Sequence, residues 1–259
     1  MYNLLKCEFV KLKKSKEFRY IFLGICAISL ILMANKIYAM ELFLKKMNMQ
    51  DAVSGINCFR DMVSGKMYII VLQNIAVIAF ICRDFENRFI QGEDLAGYSR
   101  FEILTSKVII CFFINAVFTF TYVFICTAGV SIIYGLGEEF TSYLFIKMVM
   151  MYLDSVFISC GISSAAIIIS YIFKSISISI SVWAAVLFSY LAGGTVLGDA
   201  LQSSEKVQHM LNNSIFELFN MIKMDMLAGD TLYILSMCAV RILVVFMLTY
   251  ITFRKAELK

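Results

Sequence analysis

The chain has 259 residues, of which 61% are hydrophobic and only 16% charged, with a formal net charge of +4 and a mean hydropathy of +0.82. A soluble domain is nearer half apolar and a quarter charged, so this composition excludes an ordinary water-soluble fold and points to lipid as the solvent. Basic residues form no single patch with interleaved aromatics, so no nucleic-acid partner is implied. Proline is absent and no Gly/Ser-rich linker divides the chain, so 1–259 reads as one membrane domain.

The first segment, Asn3–Arg19, sets Leu5, Phe9 and Leu12 at i, i+4 and i+7 with lysines on the other side. This is the pattern of an amphipathic helix, suited to lie at the inner membrane surface with its apolar side toward lipid. The plainer alternative is a basic topology signal. No A-x-A-like site follows the next apolar run, so an uncleaved first span is expected.

Six apolar stretches follow, at about 20–40, 67–82, 108–134, 143–173, 176–197 and 231–253. A crossing helix needs roughly 17–25 residues, and the third and fourth stretches are long enough to tilt or project. Lys and Arg are about twice as frequent on the N-terminal side of the membrane as on the other. That bias places both termini in the cytoplasm. The expected fold class is therefore all-α, a polytopic protein with six transmembrane helices in the cell membrane.

The connection Arg83–Lys107, between spans two and three, is long for a bare loop and has room for a short helix across the inner mouth of the bundle. In the fifth span Ser175, Ser177, Ser179 and Ser181 alternate with isoleucines. A helix is favoured there, because an isolated strand cannot satisfy its backbone in lipid. The outer connection 198–229 carries Ile215, Phe216, Leu218 and Phe219 between polar residues and reads as an interfacial or partly re-entrant element.

Asp154 and Arg241 are charges within spans four and six, where charge is costly and tends to be paired or to line a cavity. Each is ten or eleven residues from the outer end of its span, so both lie about 15 Å deep. Equal depth permits an ion pair, as a structural tie or as part of a translocation path. Lys147 is close enough to the outer end to reach the interface.

Catalysis is not expected of this chain. Gly92 and Gly97 have P-loop spacing, but Tyr98-Ser99 follows where Lys-Ser/Thr is required. His209 is the only histidine and the eight cysteines include no CxxC, so no metal site is expected. No nucleophile–base pair is evident.

Several segments together carry a family resemblance. Leu5-Lys6-Cys7-Glu8-Phe9-Val10-Lys11-Leu12 precedes the spans. The loop after span two reads Phe85-Glu86-Asn87-Arg88-Phe89-Ile90-Gln91, then Gly97-Tyr98-Ser99-Arg100, and the chain ends Phe253-Arg254-Lys255-Ala256-Glu257-Leu258-Lys259. With this layout the chain resembles a permease subunit of the type-2 ABC exporter family, and is similar to the small permeases of antimicrobial-peptide (lantibiotic) immunity and resistance in bacteria. The resemblance implies two permease subunits, alike or different, working with a separate cytoplasmic ABC ATPase that holds ATP and Mg, and no cofactor in this chain. It implies an interface helix at the N-terminus and a coupling helix within Glu86–Arg100, with Glu86, Arg88, Ser99 and Arg100 as the contact zone for the ATPase. Phe89 stands where relatives often carry threonine, and Tyr98 where proline is common. The implied function is export of an amphiphilic cargo such as a peptide, drug or lipid. The alternatives are a stand-alone ion-coupled transporter or channel, and a non-transporting membrane sensor or assembly subunit.

Overall fold

The computed structural model describes residues 1–47, 54–65, 67–137, 141–200, 217–223, 226 and 228–255. They form α1 (Tyr2–Lys14), α2 (Lys16–Met47), α3 (Gly55–Ser64), α4 (Met67–Glu86), α5 (Phe89–Leu95), α6 (Arg100–Tyr134), α7 (Ser142–Phe173), α8 (Ile176–Ala200), α9 (Glu217–Asn220) and α10 (Ala228–Lys255). No strand occurs among the described residues.

Five helices are long and apolar enough to cross a membrane: Lys16–Leu42, Tyr68–Glu86, Arg100–Tyr134, Ser142–Phe173 and Gly229–Lys255. The architecture is compatible with a multi-pass membrane protein. The sixth expected span, 176–197, is helical as α8. Among the described residues its apolar stretch is Ile176–Ser189. The Ser/Ile alternation is accommodated in that helix, where the Ser181 hydroxyl donates to the Ser177 carbonyl at 2.9 Å, as serine does one turn back. Of the 198–229 connection, 201–216 lies outside the described residues, including Ile215, Phe216 and His209. Its described part includes α9, with Leu218 and Phe219 buried.

Helix α7 is the centre of the bundle and packs on α4, α6 and α10, the α7–α10 pair being the most extensive. Its buried face includes Ser155, Ser159, Ser163 and Ser170. Polar groups inside lipid must be satisfied within the protein. The Ser163 hydroxyl donates to Asn115 Oδ1 at 3.2 Å, and Gln73 Nε2 donates to Thr119 Oγ1 at 2.9 Å, tying α4, α6 and α7 together.

The two ends of the bundle differ. At one, Ser15 turns the chain from α1 into α2 in an extended conformation, and its hydroxyl accepts the Phe18 amide. Helix α1 thereby lies against the start of α6. At the other, α3 is clipped to the turn after α6. The Gly55 amide donates to the Gly135 carbonyl at 3.0 Å, the Ile56 amide to the Leu136 carbonyl at 3.2 Å, and Lys36 of α2 pairs with Asp61 at 2.6 Å. Gly55 packs directly on Ser131, leaving no room for a Cβ. Gly55→Val is expected to push α3 off α6 at a cost of about 1–3 kcal/mol. The buried Cys58 thiol would report this as faster alkylation by a thiol reagent; an unchanged rate would contradict the clip.

Candidate functional site

Five charged side chains from four helices meet at the α1–α5 end. Helix α1 supplies Glu8 and Lys11, α4 supplies Asp84 from its last turn, α5 supplies Glu93, and α6 supplies Lys107 two turns from its start. Lys107 and Glu8 are both 0% exposed. Lys107 Nζ lies 2.7 Å from Glu8 Oε2, 3.8 Å from Glu93 Oε1, and against Asp84 Oδ2. Lys11 Nζ lies 2.7 Å from Glu8 Oε1, 3.5 Å from Asp84 Oδ2, and against Glu93 Oε1. Every carboxylate is shared between two lysines and every lysine between carboxylates. Buried ions of this kind persist only when mutually paired and hydrogen-bonded.

Local sequence explains how each side chain arrives. Leu4, Glu8 and Leu12 form an i, i+4 stripe that α1 turns into the protein. Of the apolar stripe expected from sequence, Leu12 is buried, Leu5 is half-buried, and Phe9 is turned outward, edge-on to Phe113 at 5.0 Å. The reason is Glu8: bringing it to Lys107 rotates Phe9 off the buried face. Helix α5 is oriented by two left-handed residues, Arg88 before it (φ 58) and Gly97 after it (φ 88). Glycine takes this conformation freely, whereas Arg88 adopts it at some cost. The resulting turns point Ile90 and Glu93 inward.

The cluster holds three acids and two ammonium groups, so full ionisation would leave one surplus negative charge. Burial pushes the Glu93 carboxyl up, Lys107 and Lys11 oppose the rise, the adjoining Glu8 carboxyl adds to it, and Glu93 stands at about 7. For Glu8, burial acts in the same upward direction, but Lys107, its hydrogen bond with Glu93 and Lys11 outweigh it and hold the carboxyl below the ordinary range. Lys11 is likewise raised despite burial, by Asp84 and Glu8. One proton on Glu93 makes the cluster neutral. Glu8, Asp84 and Glu93 lie close enough to share a metal ion, but Lys11 and Lys107 already occupy the space between them and repel a cation.

Of the four residues expected to form an ATPase contact zone, Glu86, Ser99 and Arg100 also make contacts within the chain, and Arg88 is exposed. Glu86 Oε1 accepts the Ile176 amide at 3.2 Å, joining the end of α4 to α8. Arg88 is exposed at the left-handed turn. Ser99 caps α6 in a reciprocal box with Glu102, a pattern visible in Ser99-x-x-Glu102. Arg100 donates to the Phe253 and Arg254 carbonyls at 2.8 and 2.9 Å and so ties α6 to the end of α10. The most exposed apolar side chains of this segment are Leu95, at 89%, and Phe89.

Asp154 lies on α7 and Arg241 on α10, the most extensively packed pair of helices. Asp154 is 1% exposed and neither carboxylate oxygen finds a hydrogen-bond partner among the described residues. Lys147 lies over the Tyr143 ring at 5.1 Å.

No protein-family model, curated protein or solved structure matches the chain.

Proposed function

We propose that this chain is the permease subunit of an ATP-driven exporter, with α5 as the element that receives a separate cytoplasmic ATPase. The observation that supports this best is the two-sidedness of α5. Its inner face, Ile90 and Glu93, is anchored in the bundle, while Leu95 projects from it fully outward and Phe89 is half exposed, one side of its ring covered by Lys11 at 5.1 Å. An exposed apolar pair on an anchored, polar-rimmed element is what a docking contact requires. On this basis the α1–α5 end and both termini are cytoplasmic, α1 lies along the inner leaflet, and two such subunits share the work of moving an amphiphilic cargo outward. ATP and Mg belong to the partner.

The buried charge cluster gives α5 its mechanical value. A push on α5 reaches α6 through Glu93 and Lys107 and α1 through Lys11 and Glu8, without a flexible link between. The test is co-purification with a soluble ATPase carrying Walker motifs encoded beside this chain. Leu95→Asp is expected to weaken the complex about ten- to hundredfold, the effect of losing one or two large apolar contacts. Robust transport by this chain alone, insensitive to ATP, would contradict the proposal.

Asp154 favours a second reading, an ion-coupled transporter. A buried carboxylate steadied by no more than the Thr231 hydroxyl takes up a proton or a cation rather than remaining a bare charge. Transport abolished by a proton uncoupler and by Asp154→Asn, with ATP present, would favour it.

A further inference from the structure

A groove of about 800 Å³ opens between α6 and α7 at the α3 end. Its walls are nearly all apolar: Phe120, Phe124 and Ile132 on α6, Phe145 and Tyr152 on α7, and Phe59 on α3. The two helices present stripes of the same period, so the groove runs along them. From Phe120 to Ile132 it extends about 18 Å. At its closed end the Tyr152 hydroxyl donates to the Ala116 carbonyl at 2.8 Å and its ring stands edge-on to Phe120. Beyond that point the helices close, with Phe112 and Phe157 edge to face at 5.3 Å.

We infer that this groove is a binding site for one acyl chain of a phospholipid from the leaflet at the α3 end. Depth decides the occupant. The hydrocarbon core is about 30 Å thick, so the groove matches one leaflet and stops near the midplane. A spanning helix of a second copy would run the full thickness and would find the far half shut. Within the hydrocarbon core such a groove meets no water, and a lipid tail enters from the side without uncovering any polar group. Ile132, 84% exposed, marks the open side. The inference stands whether or not the chain drives export.

The full-length protein in phosphatidylglycerol vesicles, with a trace of phosphatidylglycerol carrying a photoreactive diazirine near the end of one acyl chain, provides the test. Val240, Leu243 and Val244, on the exposed face of α10, report ordinary surrounding lipid. Labelling of Phe124, Ile132 and Val149 is expected to exceed it about tenfold, the ratio that a preference of about 1.4 kcal/mol produces. Ala128→Trp, which fills the groove, should bring that labelling down to the α10 level and leave α10 unchanged. Ala128→Leu should lower it part of the way, and serves where the larger side chain prevents folding. Equal labelling of groove and α10, undiminished labelling in a folded Ala128 variant, or disulfide cross-linking of two copies through Phe124→Cys in place of lipid capture would each overturn the inference.

Discussion

Lys107→Met is expected to be the most damaging single substitution at the α1–α5 end, lowering stability by about 3–5 kcal/mol. The methionine fills much of the same space, so packing alone cannot account for a loss of that size. What is lost is the ammonium group that neutralises Glu8 and Asp84 in a site where Lys107 and Glu8 have no solvent exposure. Water cannot compensate there, and Lys11 alone would face three carboxyls. Unfolding in mixed micelles would measure the loss. The double variant Lys107→Met/Asp84→Leu should recover a substantial part of it, because replacing both members of a buried pair by apolar groups removes the unpaired charge. A single variant as stable as the parent chain would show that the cluster is not closed to water.

Loosening of α1 from α5 as pH rises through about 7 is the second large effect expected. Glu93 is raised above its ordinary value of 4.5 in the docked arrangement, so docking favours its protonated form. The contribution is fully present below about 4.5, declines as pH rises, and is gone above about 7. The groups that face Glu93 are Glu8 and Lys11 on α1, Asp84 on α4, Lys107 on α6 and Tyr171 on α7. Lys11 is held above its ordinary range by Asp84 and Glu8 and keeps its charge here, so the change is carried by the Glu93 carboxyl. Spin labels at Lys6 and Leu95 should separate or broaden in distance as pH rises. Glu93→Gln, which is neutral at every pH, should hold the short distance throughout. A distance in the parent chain that does not change with pH would contradict the shared proton.

The long helices were legible in the sequence because a span has to be continuously apolar over a length set by the bilayer. The boundaries at Tyr134 and Phe173 follow from that. Helix α3 was not, since Ile56, Phe59 and Val63 occupy barely three turns and resemble any loop with scattered apolar residues. The inner segment was expected to hold a short helix, and α5 is there; the contacts of Glu86, Ser99 and Arg100 with α8, the α6 cap and α10 could not be read from the sequence, apart from the Ser99-x-x-Glu102 box. Glu8, Lys11, Asp84, Glu93 and Lys107 were missed for a plain reason. Lys107 is 99 residues from Glu8 and 23 from Asp84, and no linear spacing reveals a contact made by four helices. The one local hint is an acid, Glu8, placed one turn from Leu4 and Leu12 within an otherwise basic helix. At Asp154 and Arg241 the residue count predicts equal depth, while contact between the two side chains is set by how α7 and α10 are rotated, which no spacing along the chain encodes.

Coupled export in vesicles holding the permease, its ATPase and a fluorescent amphiphilic peptide tests the central claim, that α5 passes force to the spans through Glu93. The parent complex should hydrolyse ATP and move the peptide together. Glu93→Ala leaves Phe89 and Leu95 in place, so the ATPase should still bind and hydrolyse ATP, while peptide movement falls by tenfold or more. A Glu93→Ala complex that transports as well as the parent, with its ATPase bound, would contradict the account.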